Sequence, residues 1–288
     1  MIRRMPPHGL LSRMYHSFPA RVQLVTNTLL SSIRQRTLKS QIFGEKAAFV
    51  PSLFLMEDGA RDYKEFKQNG LDAFQWFLSL GLKPTDRVLD VGSGIGRKTL
   101  PLLDYLDRGS YEGLDPVAKQ VRWCASRITP QYPNFRFRRA DIWSKHYNPS
   151  GKIQPSHYTF PFADAEFDFV ILGSVFTHMF PGDVRHYISE IARTMRPGAR
   201  GWITFFLLNR DSLDLLASGK STLHLIHPIE EGSLADNPER RETAIGHREA
   251  NVLKMFKDHE IMADIVEYGS WCGRSERYYQ DIVKLTRL

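Results

Sequence analysis

The residues best placed for chemistry lie in Val88 to Arg97, VLDVGSGIGR, where an apolar run ends in Asp90 and is followed by Gly92, Ser93, Gly94 and Gly96. Glycines at such a turn let the backbone pass close to a ligand, and the helix that follows presents its free N–H groups there. A nicotinamide-dinucleotide fingerprint has its third glycine at 97, and that position is Arg97. The next two apolar runs also end in acids, Asp115 followed by Pro116, and Asp141 followed by Ile142. Each acid alone is explained as a helix cap or turn residue. Three at the ends of three consecutive strands make a set that suits adenosine. Asp115 accepts from the ribose hydroxyls, Asp141 faces the adenine amino group, and Ile142 packs on the ring.

A candidate base is His178, in the SVFTHM loop that follows the fourth strand, on the rim where open α/β sheets bind ligands. It equally suits a hydrogen bond to loop backbone or packing over adenosine. His224, His227, His247 and His259 lack the cysteine or acidic partners of a metal site, so no metal is expected. Tyr63, Phe66, Tyr158 and Phe176 fit either a ligand enclosure or the core.

Short apolar strands alternating with longer helical patterns predict an α/β fold that holds these residues at strand ends. Strands are expected at 87–91, 110–114, 134–139, 167–172 and 200–208. Helices are expected at 66–80, 98–106, 116–128 and 183–195, the last stopped by Arg196-Pro197-Gly198. Residues 209–247 are polar with little periodicity and read as a cap or insertion over a sheet edge. A helix at 248–259 then precedes two strand-like runs, 263–271 and 278–285, that suit an antiparallel pair.

From about Asp58 to the C-terminus the chain resembles the class I S-adenosylmethionine-dependent methyltransferases, in the small-molecule branch called type 11. The resemblance rests on VLDVGSGIGR, YEGLDP, RRADIW, FPFADAEFDFVILGSVFTHM and IARTMRPGARGWITFFL. It implies a Rossmann-like fold: a seven-stranded, mostly parallel sheet with an antiparallel last strand and helices on both faces. It also implies S-adenosyl-L-methionine as cofactor. By motif position, Asp90, Gly92, Ser93 and Gly94 line its methionine and ribose portion, Asp115 and Pro116 hold the ribose, and Asp141 and Ile142 hold adenine. Gly173 and Ser174 lie beneath it. Ala199 stands where relatives usually carry glycine, in a turn away from the cofactor. The run 138–151 and the ending YGSWCGRSERYYQDIVKL resemble a bacterial subgroup associated with glycan or secondary-metabolite pathways. Ser174-Val175-Phe176 replaces the Asn-Pro-Pro-aromatic run of enzymes that methylate nucleic-acid amino groups. The expected reaction is methyl transfer to a small-molecule acceptor, a hydroxyl of a sugar or related metabolite. The other classes left open are a catalytically silent adenosine-binding interaction protein and a nicotinamide-dependent oxidoreductase.

Composition bounds the remaining classes. The 288 residues are 42% hydrophobic, enough for a full core. The longest apolar run, Trp202 to Leu208 with Thr204 inside it, is far short of the roughly 20 residues that span a bilayer. Two cysteines, Cys124 and Cys272, suit a reducing compartment. The first 44 residues hold seven basic residues and no acid, and the other 32 basic residues balance the 32 acids. The net charge of +7 therefore belongs to the arm, and no nucleic-acid partner is expected. The expected division is a basic arm at 1–50 and a methyltransferase domain at 51–288. The arm, with Val22, Val25, Leu29 and Ile33 in one helical stripe, suits an organellar targeting peptide, contact with an anionic membrane surface, or a packing extension. The expected location is cytoplasmic, with the mitochondrial matrix or the inner face of a membrane as alternatives.

Overall fold

The computed structural model describes residues 33–56 and 60–288. Val22, Val25 and Leu29 of the predicted stripe lie outside the described residues. Seven strands form one sheet: β1 (Arg87–Val91), β2 (Ser110–Asp115), β3 (Phe135–Arg139), β4 (Phe167–Leu172), β5 (Met195–Phe205), β10 (Ile261–Glu267) and β11 (Asp281–Arg287). Their order across the sheet is β10-β11-β5-β4-β1-β2-β3. The pairs β1–β2, β1–β4, β2–β3 and β4–β5 are parallel, and β11 runs antiparallel to both of its neighbours. This is the Rossmann-like methyltransferase fold that the motifs implied, with its last strand reversed.

The central strands are buried on both faces, so they read as short apolar runs rather than as alternating ones. Helices cover both sides. Against one face pack α4 (Pro181–Thr194), through Val184, Ile188 and Ile191, and α6 (Glu249–Asp258), through Val252 and Phe256. Against the other pack α1 (Tyr63–Ser79), α2 (Thr99–Leu102) and α3 (Ala118–Arg127), through Phe66, Phe77, Leu100, Val121 and Cys124. Asp62 caps α1 by accepting from the Glu65 N–H at 2.8 Å. A Cβ at Gly70 would stand 2.7 Å from the Arg97 carbonyl oxygen, so glycine there lets α1 lie directly on the glycine-rich turn.

Residues upstream of 51 also pack against the sheet's helices. Phe49 and Val50 are buried, Phe43 meets Tyr63 and Phe66 edge-on, and Lys46 pairs with Asp104 at 2.6 Å. Strand β5 also starts earlier than the expected Arg200. Its ladder with β4 continues across a bulge, from Phe167↔Met195 to Phe169↔Arg200, with Gly198 at a φ of 77°. Arg196 holds the bulge to β4 by donating to the Asp168 carboxylate at 2.8 Å and the Ala165 carbonyl at 3.0 Å.

The expected irregular cap has structure of its own. The short strands β6 (Leu207–Leu208), β7 (His227–Pro228), β8 (Leu234–Ala235) and β9 (Ile245–Arg248) form a small second sheet in the order β6-β9-β8-β7. Helix α5 (Arg210–Ala217) starts on an Asn209–Ser212 capping box. Beneath them Phe206, Leu208, Leu225 and Trp271 form a third apolar cluster. Buried Asp281 ties cap to sheet by accepting from the Leu207 N–H, the Gly269 N–H and the Trp271 indole N–H at 2.6, 2.7 and 2.8 Å. No helix among the described residues is long and apolar enough to cross a membrane.

Candidate active site

A cavity of about 560 Å³ opens where the parallel strands end, within the range that small-molecule sites occupy. Its floor is the turn after β1. Gly92, Gly94 and Gly96 have φ of 76°, 56° and 84°, left-handed values that side chains disfavour. A Cβ at Gly92 would fall 2.4 Å from a Val175 methyl, and one at Gly173 would fall 2.9 Å from the Trp202 ring. The cradle therefore exists because those side chains are missing. Ser93 lines it, and its buried hydroxyl has no hydrogen-bond partner among the described residues.

At the end of β2, Asp115 Oδ2 accepts from the Gly94 N–H and Oδ1 from the Val117 N–H, both at 2.8 Å. These bonds fix the carboxylate and leave lone pairs on both oxygens, a geometry suited to a vicinal diol. Burial raises the Asp115 pKa, and the two backbone hydrogen bonds oppose that rise. Pro116 and Ile142 line the same end, with Ala140, Trp143 and Gln120 beside them.

Of the residues singled out from the sequence, Gly92, Ser93, Gly94, Asp115, Pro116, Ile142, Gly173, Ser174 and His178 line one cavity. Three do not. Asp90 lies fully buried under the turn, where it accepts from the Tyr111 hydroxyl at 2.7 Å and pairs with Lys98 at 3.2 Å. Burial pushes its pKa up to about 6 against the pull of Lys98 and Tyr111. Gly96 serves the entry to α2 and faces Cys124 and Ile128. Asp141 turns away from the cavity and pairs with Arg139 at 3.3 Å.

His178 sits at the end of the turn Phe176–His178. Its Nδ1 lies 2.8 Å from the Glu242 carbonyl oxygen. A carbonyl only accepts, so Nδ1 carries the hydrogen and the lone pair of the neutral ring is on Nε2. Tyr147 meets the ring edge-on at 5.6 Å. The Glu242 carboxylate accepts from the Ser144 hydroxyl at 3.2 Å and the Lys145 N–H at 3.1 Å, so this cap residue bridges the cavity mouth from His178 to the loop after β3.

Sequence reasoning missed Lys98, Trp143, Tyr147, Glu242 and Gln280, all of which line the cavity. Trp143 was within reach, as the next residue of RRADIW. Glu242 and Gln280 carry no local signal, since they arrive from the cap and from the loop before β11. Phe66 lines the cavity, whereas Tyr63, Tyr158 and Phe176 are buried in the core. Among the described residues, no group of three His, Cys, Asp or Glu side chains is arranged to hold a metal.

His247 supports the His178 turn from below. Its Nε2–H donates to the Phe176 carbonyl at 3.0 Å, and its Nδ1 accepts from the Ser233 hydroxyl at 3.2 Å. Burial lowers its pKa from 6.5 to about 4. The folded chain thus binds this proton more weakly than the unfolded chain. The resulting stability is full above pH 6.5 and is lost as pH falls toward 4, on the order of 3 kcal/mol. Thermal unfolding followed from pH 7 to pH 4 should show a steeper loss for the parent than for His247→Asn. Equal slopes would place the titration elsewhere.

Residues 88–198 match the family model described as a methyltransferase domain. Among solved structures, a protein of Pyrococcus horikoshii OT3 is similar at 16% identity, covering 82% of this chain and 95% of that one with a TM-score of 0.54. The magnesium protoporphyrin IX methyltransferase of Synechocystis PCC 6803, solved with bound S-adenosylhomocysteine, is similar at 18% identity, covering 90% and 100% with a TM-score of 0.51. At these identities the two likenesses show the shared fold.

Proposed function

We propose that the chain is a class I S-adenosylmethionine-dependent methyltransferase and that it transfers the methyl group to a hydroxyl of a small molecule, a sugar or related metabolite. The observation that supports this reading most is the joining of two features in one cavity. The glycine cradle with Asp115 and the His178 imidazole line the same space.

The residues present fit the cofactor. Asp115 would take the ribose hydroxyls, Ile142 and Trp143 would flank the adenine, and the Gly92–Gly94 backbone with Ser93 would hold the methionine arm, all of them lining the cavity. Lys98 supplies a cation under that arm, where its ammonium donates to the Gly92 carbonyl at 3.0 Å. Bound S-adenosylmethionine supplies an activated methyl on sulfur. The protein then has to hold the acceptor oxygen in line and give its proton a destination. His178 Nε2 would accept that proton as the oxygen–carbon bond forms and the sulfur–methyl bond breaks to leave a neutral thioether, and the Glu242 carbonyl keeps the ring in the required tautomer.

Calorimetric titration with S-adenosylmethionine and with NADH tests the reading, followed by transfer of a labelled methyl group to a small-molecule fraction. Binding of S-adenosylmethionine with labelled product supports it. Binding without any product favours the silent adenosine-binding alternative, and binding of NADH alone favours the oxidoreductase.

A further inference from the structure

We propose that Gln280 recognises the acceptor, and that the acceptor carries a carbonyl or carboxylate oxygen in addition to the hydroxyl it presents for methylation. The proposal rests on the methyl-transfer reading above. Gln280 immediately precedes β11, and the antiparallel register Asp281↔Phe205 delivers it to the carboxyl end of β5, where it lines the cavity. Asp115 marks the ribose end of that cavity, at β2. The sheet order β2-β1-β4-β5-β11 therefore puts Gln280 at the far side of the glycine cradle, where the acceptor must enter.

The hydrogen bonds fix which way its carboxamide faces. Oε1 accepts from the Thr204 hydroxyl at 2.6 Å and from the Ser174 hydroxyl at 3.0 Å. The Thr204 oxygen itself accepts the Ser174 N–H at 2.8 Å. If the carboxamide were reversed, its N–H groups would point at both hydroxyls and the Thr204 hydrogen would lose its acceptor. The observed orientation satisfies that hydroxyl and leaves the two amide N–H groups for the cavity. Ser174 has a φ of 58°, a left-handed conformation that costs a non-glycine residue energy and that collects at ligand-binding sites. Here that conformation places its N–H on Thr204 and its hydroxyl on Gln280. Paired N–H donors on that side of the cavity favour an oxygen acceptor of high electron density.

Matched probes test this without knowledge of the natural acceptor. Glucuronate against glucose, and salicylate against phenol, are titrated by ligand-observed NMR into protein loaded with S-adenosylhomocysteine. The carboxylate member of at least one pair should bind about tenfold tighter or more, since a site built around a hydrogen bond rejects the analogue that lacks it. Gln280→Glu keeps both accepted hydrogen bonds and replaces only the donor group, so it should abolish or reverse the preference. Gln280→Leu should abolish it, with S-adenosylhomocysteine affinity unchanged within a few fold in both variants. Equal binding within both pairs by the parent, or a preference that survives Gln280→Glu, overturns the assignment of Gln280 and leaves the methyl-transfer reading intact. Failure of the parent to bind S-adenosylhomocysteine overturns both.

Discussion

Asp115→Ala should lower affinity for S-adenosylmethionine by about a hundredfold or more, because two charge-assisted hydrogen bonds to the ribose are lost at about 1.5–3 kcal/mol each. The same change removes the acceptor that holds the Gly94 and Val117 N–H groups, so the turn loosens as well. Asp115→Asn should recover little of this loss. Both backbone groups donate, and an amide nitrogen cannot accept from the second of them. Gly94→Asp makes an independent test. A Cβ there meets only the Gln120 carboxamide oxygen, at 3.8 Å, so there is space for it, at the cost of a side chain in left-handed backbone. The new carboxylate would stand in the cavity beside Asp115, repelling it and obstructing the ligand. Calorimetry on variants whose circular dichroism and thermal midpoint match the parent gives the answer. If both bind S-adenosylmethionine as tightly as the parent, the cofactor lies elsewhere.

His178→Ala should lower turnover by about 10²- to 10⁴-fold, the usual contribution of a positioned base, while cofactor affinity stays within a few fold. An alkyl hydroxyl is a poor nucleophile until its proton has somewhere to go. The parent rate should also rise with pH as the imidazole loses its proton, and this dependence should vanish in the variant. A ring that merely packs on adenosine would behave differently, with affinity and turnover falling together. Unchanged turnover with the authentic acceptor would remove His178 from the chemistry and leave alignment of the acceptor to explain the rate.

How much of this was legible in the sequence depends on the range of the forces involved. Strands β1 and β4 were readable to the residue, because a strand buried on both faces must be a short apolar run closed by turn residues. The glycines at 92, 94 and 96 were readable because their backbone demands are local. The start of β5 was not. Arg196-Pro197-Gly198 carries the local signature of a helix stop, and only pairing with β4 turns it into a bulge. The cap was opaque for a related reason, since strands of two to four residues have no period to detect and depend on the Phe206, Leu208 and Trp271 cluster for burial.

The site divides in the same way. The sequence by itself determined the α/β alternation, the glycine turn, and the position of Asp115 at a strand end, all consequences of backbone sterics and burial within a few residues. The tertiary structure decided which acid faces a ligand. Asp115 is held at the cavity by two backbone N–H groups, whereas Asp141 pairs with Arg139 and does not line it. It also decided what lines the cavity beyond the glycine turn. Glu242 reaches His178 from 64 positions away, and Gln280 reaches Ser174 from 106. Such contacts arise only when the sheet brings distant strand ends together and the cap folds over them, and no pattern confined to a short window of sequence encodes that juxtaposition.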